Sequence, residues 1–397
     1  MTAKILKSTF LLVCLLAVCG AGSASAMDTI VAHKDGEIVE LVGRVTVQSV
    51  SGQRVIQTRD GQYHLIEKDD IIRQSRDDTT FVPFTQREMA ALLTAEFETI
   101  GREFSTRFHI HATRNYLIVY NTSHEYAQWI GGVFETLLNS YITALRRNGF
   151  PIENSEFPLV VVLLSNRAMF EAYARRDITS GVSPGILAYY HKWTNRVVIY
   201  DQTGFESNRE GAGGRLTPQG LSRILDRPGV QENLSSALHE AVHQIGFNYG
   251  VHHRFAFVPL WVCEGLALLF ESPSIAAGTG RAAGVQVNRK HYHDLVRLMQ
   301  RPATDPIERL IKSDDAFTSS NLQEVTDAYT LSWGLAYFLN ASRPRQWVAY
   351  LKLMGAREPY VPYPPEERLA DFEAHFGNNW PQFYRDMRLF YERLRVD

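Results

Sequence analysis

The segment Leu238–Gln244 constrains this chain more than any other, because it fixes two histidines and a glutamate within an apolar stretch. His239 and His243 are four residues apart, and Glu240 directly follows the first histidine. On an α-helix, residues i and i+4 lie one above the other, so both imidazoles can face one metal ion. The spacing therefore predicts a helix that carries both histidines as metal ligands, with Glu240 beside them as a general base.

The neighbours of this motif favour a buried helix over Leu234–Phe247, with Ser235 available as its N-cap. Apolar side chains surround the histidines, namely Ala237, Leu238, Ala241, Val242 and Ile245. Two buried histidines without partners would be costly, so a metal site is favoured over a helix with two structural histidines. One zinc ion suits two nitrogens, one carboxylate and an exchangeable water.

Two alternatives compete for the third ligand. In one known arrangement of zinc ligands, the third ligand is a histidine six residues after the second. Tyr249 occupies that position here, and His252 and His253 lie three and four residues too late. The other candidate is Glu264, on a second helix predicted over Trp261–Glu271. Without a metal, Glu264 would be a charge in an apolar helix with no obvious partner. We therefore predict Glu264 as the third ligand.

These residues resemble the gluzincin zinc metallopeptidases, in the broad group called peptidase MA. The resemblance rests on His239-Glu240-x-x-His243 followed by Trp261-x-x-Glu264-Gly265-x-Ala267. More narrowly, the chain is similar to an uncharacterised bacterial family of exported proteins, known as a domain of unknown function. That similarity extends from about Phe108 to Asn340, including Tyr116–Asn121 and Tyr329–Trp333. It implies a zincin-like fold, zinc bound by His239, His243 and Glu264, and peptide-bond hydrolysis with Glu240 as base.

Other residues are candidates for supporting roles. Tyr329 is the first choice as a second donor to the developing oxyanion, with His291 or His293 as alternatives, although a packing role would also suit Tyr329. Glu271 either orients a histidine ligand or is a solvated helix end. Cys263 is predicted to point away from the Glu264 face and to pack in the core.

A hairpin is predicted over Ile186–Tyr200, with its turn at Thr194-Asn195. Its exposed edge could bind an extended peptide or protein substrate by backbone pairing, or it could simply complete a sheet. Three aromatic residues in it line a cleft or cap the core: Tyr189, Tyr190 and Trp193. A surface loop with a short helix is predicted over Gln202–Gln231.

The N-terminus has the pattern of a secretory signal peptide. Two lysines precede the apolar run Phe10–Val18, which leads to an Ala-x-Ala end at Ala26. A lipid anchor at Cys19 is the alternative. Cleavage after Ala26 would place the protein outside the cytoplasm, periplasmic or secreted, and leave Cys263 as its one cysteine, without an intramolecular disulfide.

The whole pattern predicts an α+β protein with a zincin-like metallopeptidase core, in which a small mixed sheet accompanies the active-site helix. Alternation and Asp-Gly or Ser-Gly turns favour a small β module after the signal peptide. The predicted segments are a signal peptide (1–26), a small β module (27–83), a linker and helix (84–107), a zincin-like catalytic region (108–275) and a helical C-terminal region (276–397).

Composition narrows the classes further. A hydrophobic fraction of 45% excludes a disordered chain, and a net charge of −2 argues against nucleic-acid binding. No later segment is long and apolar enough for a stable membrane span. The predicted function is an exported zinc metallopeptidase, with no oligomeric state predicted. The alternatives are a non-catalytic binding protein on a zincin scaffold and a metal-dependent hydrolase of a non-peptide amide or ester.

Overall fold

The computed structural model describes residues 26–34, 36–49, 51–178, 181–183, 185–201, 228–272, 287–300 and 306–394. The predicted signal peptide up to residue 25, and residues 202–227 of the loop predicted over Gln202–Gln231, with its short helix, lie outside the described residues. Within them the chain is α+β, with an N-terminal β module, a second small sheet and a helical C-terminal part, as the sequence predicts.

The N-terminal β module is a five-stranded antiparallel sheet in the order β4-β3-β2-β1-β5. Its strands are β1 (Ala26–Lys34), β2 (Glu37–Gln48), β3 (Arg54–Thr58), β4 (Tyr63–Ile66) and β5 (Ile71–Thr80). Alternating residues of these strands form a small core of Ile30, Ala32, Ile56 and Ile66. The predicted β module is therefore present.

The second sheet has the order β6-β7-β8-β10-β9. Its strands are β6 (His109–Ala112), β7 (Tyr116–Tyr120), β8 (Leu159–Leu164), β9 (Ala188–His191) and β10 (Arg196–Tyr200). The three central strands are parallel, and all six residues of β8 are buried, as expected for a central parallel strand. Strands β9 and β10 form the predicted hairpin, whose turn includes Asn195 at φ 60°.

Eleven α-helices occur in the described part of the chain. They are α1 (Gln86–Glu103), α2 (His124–Arg147), α3 (Arg167–Asp177), α4 (Pro228–Asn248), α5 (Leu260–Phe270), α6 (Arg289–Met299), α7 (Pro306–Lys312), α8 (Leu322–Ser342), α9 (Pro344–Gly355), α10 (Pro365–Phe376) and α11 (Trp380–Arg393). None of the helices in these described ranges is both long and apolar enough to cross a membrane.

Helix α4 differs from its prediction at the N-terminal end. It begins at Pro228, so the last residues of the predicted loop are helical and Ser235 lies inside the helix. Val230 lies four residues before Leu234 and is buried like it, so the apolar face of the helix extends one turn further than predicted. Proline is well tolerated in the first turn of a helix, where its missing N–H has no partner to lose.

The main core joins α2, α4 and one face of the second sheet to the helices that follow. Helix α5 lies between α4 and α8 and has ten buried residues. Three fully buried tryptophans fill the interior of this part of the chain: Trp261 on α5 itself, and Trp333 and Trp347 on later helices. Helices α4 and α5 are therefore held against a large apolar core, and the residues they present to each other have fixed positions.

Candidate metal centre

Helices α4 and α5 bring the three predicted metal ligands together. The Nε2 atom of His239 lies 3.0 Å from Oε2 of Glu264, and Nε2 of His243 lies 3.6 Å from the same oxygen. One ligand atom from each residue lies within 4.8 Å of the others, so the group could hold a metal ion. Among the described residues, no other group of three His, Cys, Asp or Glu side chains meets that condition.

Glu264 reaches the histidines because α5 is held tightly from behind. A Cβ atom at Gly265 would lie 2.8 Å from the Cβ of Ala336 and 2.8 Å from the backbone oxygen of Ser332, both on α8. Glycine therefore permits the close approach of α5 and α8 at this point. Glu264 is only 8% exposed, and its carboxylate faces α4.

Glu271, directly after α5, contacts the first histidine from its other side. Its Oε2 atom lies 3.0 Å from Nδ1 of His239, and its Oε1 accepts a hydrogen bond of 3.1 Å from the amide of Asn288. Nε2 of His291 is 3.8 Å from the same Oε1. Glu271 is therefore not a solvated helix end. Its position fits the orienting role that was one of the two sequence-based alternatives.

His239, Glu264 and Glu271 shift one another's pKa values through their charges and hydrogen bonds. Burial lowers the pKa of His239, but hydrogen bonds to Glu264 and Glu271 outweigh it and raise that pKa well above its usual value. Burial raises the pKa of Glu264, yet the charge of His243 and hydrogen bonds from both histidines bring it well below the usual range. A carboxylate on each side of His239 calls for positive charge between them, which a proton or a metal cation can supply.

Glu240, on α4, lies beside the three predicted ligands. Burial raises the pKa of its carboxyl group, despite the opposing charges of His243 and His239. Its Oε2 atom accepts a hydrogen bond of 2.8 Å from the backbone N–H of Tyr190, on strand β9. No sequence signal identified this donor, because it is a backbone group and its position depends on how β9 packs against α4.

Tyr329, on α8, lies near the same carboxylates. Burial and the negative charges of Glu264, Glu240 and Glu271 raise the pKa of Tyr329 well above its usual value. Its ring also packs edge-on against Phe317, at 5.3 Å between centroids. Tyr329 thus makes a packing contact and also lies near the candidate centre.

The two histidines offered as alternatives to Tyr329 occupy different surroundings on α6. His291 contacts Glu271 and stacks on Trp333, at 5.9 Å between ring centroids. His293 is exposed, with its ring against Tyr292. Of the two, His291 is the one that the described contacts connect to the candidate centre.

The rejected ligand candidates and the cysteine serve packing. His252 is buried, and burial together with the charge of His243 lowers its pKa to about 3. The ring of His253 lies against Tyr63 of the β module. Cys263 is buried as a free thiol, and burial raises its pKa to about 12, which agrees with the predicted packing role.

A family model described as "Protein of unknown function (DUF1570)" matches residues 233–361 of this chain. The matched range contains most of α4, all of α5 and α8, and therefore His239, Glu240, His243, Glu264 and Tyr329. The similarity expected from about Phe108 thus has a match only from residue 233 onward. No curated protein matches the chain.

Proposed function

We propose that this protein is a zinc-dependent peptidase in which His239, His243 and Glu264 hold the metal and Glu240 is the general base. The convergence of the three ligand atoms within 4.8 Å, with the carboxyl group of Glu240 beside them, is the observation that carries the proposal. Two imidazoles and one carboxylate are a common ligand set of catalytic zinc, which keeps a further position open.

The donor chemistry of the group supports a bound cation. His239 has a carboxylate 3.0 Å from each ring nitrogen. With Nδ1 donating to Glu271, Nε2 can offer its lone pair to a metal that takes the place of the second proton. A cation there would also offset the negative charge of the buried Glu264 carboxylate.

When bound, zinc supplies positive charge that polarises the substrate carbonyl and makes the attacking water more acidic. Glu240 takes the proton of that water at a carboxylate oxygen and returns it to the leaving amine nitrogen. The Tyr329 hydroxyl donates a hydrogen bond to the carbonyl oxygen as negative charge develops on it. Glu271 holds the ring of His239 in one tautomer and one orientation.

The substitution Glu240→Gln tests this function directly. It removes the base and keeps the shape of the side chain, so we expect unchanged zinc content and loss of peptide cleavage by at least about 100-fold. Glu232→Gln is the matched control, since Glu232 is exposed on the same helix two turns earlier. Purified protein is analysed for zinc stoichiometry and digested with a peptide library before and after chelation.

The same experiment separates the alternatives. If the wild-type protein holds zinc, and neither it nor Glu240→Gln cleaves any peptide, the protein is a binding protein on this scaffold. Cleavage of non-peptide amides or esters, with peptides left intact, identifies a different hydrolase. We further propose that the protein acts outside the cytoplasm, on the basis of the predicted signal peptide. Export of the full-length chain with removal of about 26 residues would support this.

A further inference from the structure

The outer edge of strand β9 makes a contact that the function proposed above does not use. Among the strands that the structure describes, β9 is the edge strand of the second sheet and pairs only with β10. Tyr190 lies opposite Val197 in that pairing, and its N–H donates to Oε2 of Glu240 at 2.8 Å. In antiparallel strands the backbone groups of successive residues alternate between the two sides. Tyr190 therefore faces away from β10, and Tyr189 faces β10.

Several contacts hold Tyr190 in this position relative to α4. Its hydroxyl donates to Oδ1 of Asn195 at 2.9 Å, and its ring stacks on Phe247 at 5.7 Å between centroids. Gln244 and Asn248, one helical turn apart on α4, bond the same hairpin turn through the backbone oxygen and the side chain of Asn195. The N–H donor of Tyr190 is thus held in place by side chains of α4, the helix that carries its acceptor Glu240.

We propose that the backbone N–H of Tyr190 is the positioning group of the general base, which fixes Oε2 of Glu240 and leaves Oε1 to accept the proton. This inference rests on the proposed function. A hydrogen bond from an N–H to a carboxylate is charge-assisted, and the desolvated carboxylate needs a donor more than a neutral carbonyl does. In the described part of the chain, Tyr190 is the donor that bonds the Glu240 side chain.

The N–H has another conceivable use, because an extended substrate could pair with the edge of β9. The two uses predict different kinetics. Loss of a group that orients the base lowers kcat with little change in KM, whereas loss of a substrate-binding donor raises KM. Deleting this N–H alone therefore distinguishes them.

Replacing the amide by an ester removes one N–H and leaves the side chain intact. Tyr189 and Tyr190 are adjacent, so the α-hydroxy acid analogue of tyrosine can be introduced at either position with the same chemical change. At position 190 we expect kcat to fall by about tenfold or more, with KM within about twofold and zinc content unchanged. At position 189 the ester removes a bond to β10, so the melting temperature falls while kcat stays within about twofold.

A second pair of variants needs only the standard amino acids. Tyr190→Ala and Tyr190→Pro both remove the aromatic ring, and only proline also lacks the N–H. Proline is tolerated on an edge strand whose N–H faces outward. We expect kcat of the proline variant to be lower than that of the alanine variant, at similar KM.

A readout independent of activity is amide exchange in protein labelled with ¹⁵N-tyrosine. In Glu240→Ala the Tyr190 amide should exchange about tenfold faster than in wild type, and the Tyr189 amide should not change. Unchanged protection of Tyr190, or an ester at 190 that raises KM and spares kcat, would overturn this inference alone. If zinc-loaded wild-type protein cleaves no peptide, both the proposed function and this inference are overturned, even where amide exchange shows the contact between Tyr190 and Glu240.

Discussion

The substitution Gly265→Ala tests whether the close approach of α5 to α8 determines the position of Glu264. An added Cβ would lie 2.8 Å from the Cβ of Ala336 and 2.8 Å from the oxygen of Ser332, where an ordinary contact begins at 3.4 Å. One of these neighbours is backbone, so no side-chain rotation relieves the overlap. The helices must separate locally by roughly half an ångström, or the new methyl group must remain compressed.

The expected magnitude combines two opposing effects. Alanine favours a helix over glycine by about 1 kcal/mol. Overpacking of a closely packed interior typically costs about 1–3 kcal/mol. The net change at Gly265 is therefore a loss of stability of up to about 2 kcal/mol.

Gly132 provides a matched control for the same substitution. It is exposed on α2, and a Cβ there would have no atom within 4 Å. Gly132→Ala should therefore stabilise the protein by about 0.5–1 kcal/mol. Since the gain in helix propensity is common to both variants, the difference between them isolates the overlap at Gly265, which we expect to be about 1–3 kcal/mol.

The assay is urea denaturation of both variants without metal, followed by zinc titration. Gly265→Ala should bind zinc more weakly than wild type, because separation of α5 from α8 displaces the neighbouring Glu264 towards α4. Gly132→Ala should bind zinc like wild type. If the two variants have equal stabilities, the approach of α5 to α8 is not tight and the reasoning fails.

Three further predictions concern the candidate centre and the β module. Glu271→Gln weakens the hydrogen bond that orients the first histidine, so zinc affinity measured by competition with a chelator should fall by about 10- to 100-fold. Tyr329→Phe should lower kcat by about 10- to 100-fold at unchanged zinc content, and an unchanged kcat would leave Tyr329 a packing role. Nδ1 of His64 lies 2.9 Å from Nζ of Lys34, and burial together with that ammonium lowers the pKa of His64 to about 4. The unfolded chain binds this proton near pH 6.5, so stability should fall by about 1–3 kcal/mol as the pH drops from 6.5 to 4. His64→Gln should reduce that slope in denaturation curves measured across this range.

The sequence could predict the parts of the centre whose geometry is local. His239 and His243 share a face because of helical spacing alone, and the apolar residues around them required a buried helix. Glu264 could be chosen because a charge in the apolar segment of α5 needed a partner. That partner proved to be the two histidines, at 3.0 and 3.6 Å.

The remainder depended on contacts between distant segments. The bond from Tyr190 to Glu240 joins residues fifty positions apart, and a backbone donor leaves no trace in the residue types. Among the helices, α3, α7 and α10 were not predicted. Helix α10 follows Pro364 and has Pro365 in its first turn, so prolines that mark the end of a loop also stand at a helix start.

The β module, whose role the sequence left open, is attached to the hairpin that contacts Glu240. The N–H of Tyr63 donates to the backbone oxygen of Trp193 at 2.8 Å. Arg254 is buried at the same junction, where its Nη1 donates to the backbone oxygen of Gly61 at 2.9 Å and to that of Lys192 at 3.3 Å. Through these bonds the module holds the turn that follows β9.

Arg254→Met should therefore weaken both the junction and the site. It leaves two carbonyl oxygens without a charged donor and removes a guanidinium 4.5 Å above the Tyr63 ring, which should cost about 2–4 kcal/mol. Glu156→Gln is the control at another contact of the β module, since Glu156 is exposed and its ion pair with Arg44 should contribute less than about 1 kcal/mol. If the module positions β9, only Arg254→Met increases exchange of the Tyr190 amide. If both variants exchange like wild type, the module is a spacer and the hairpin is held by α4 alone.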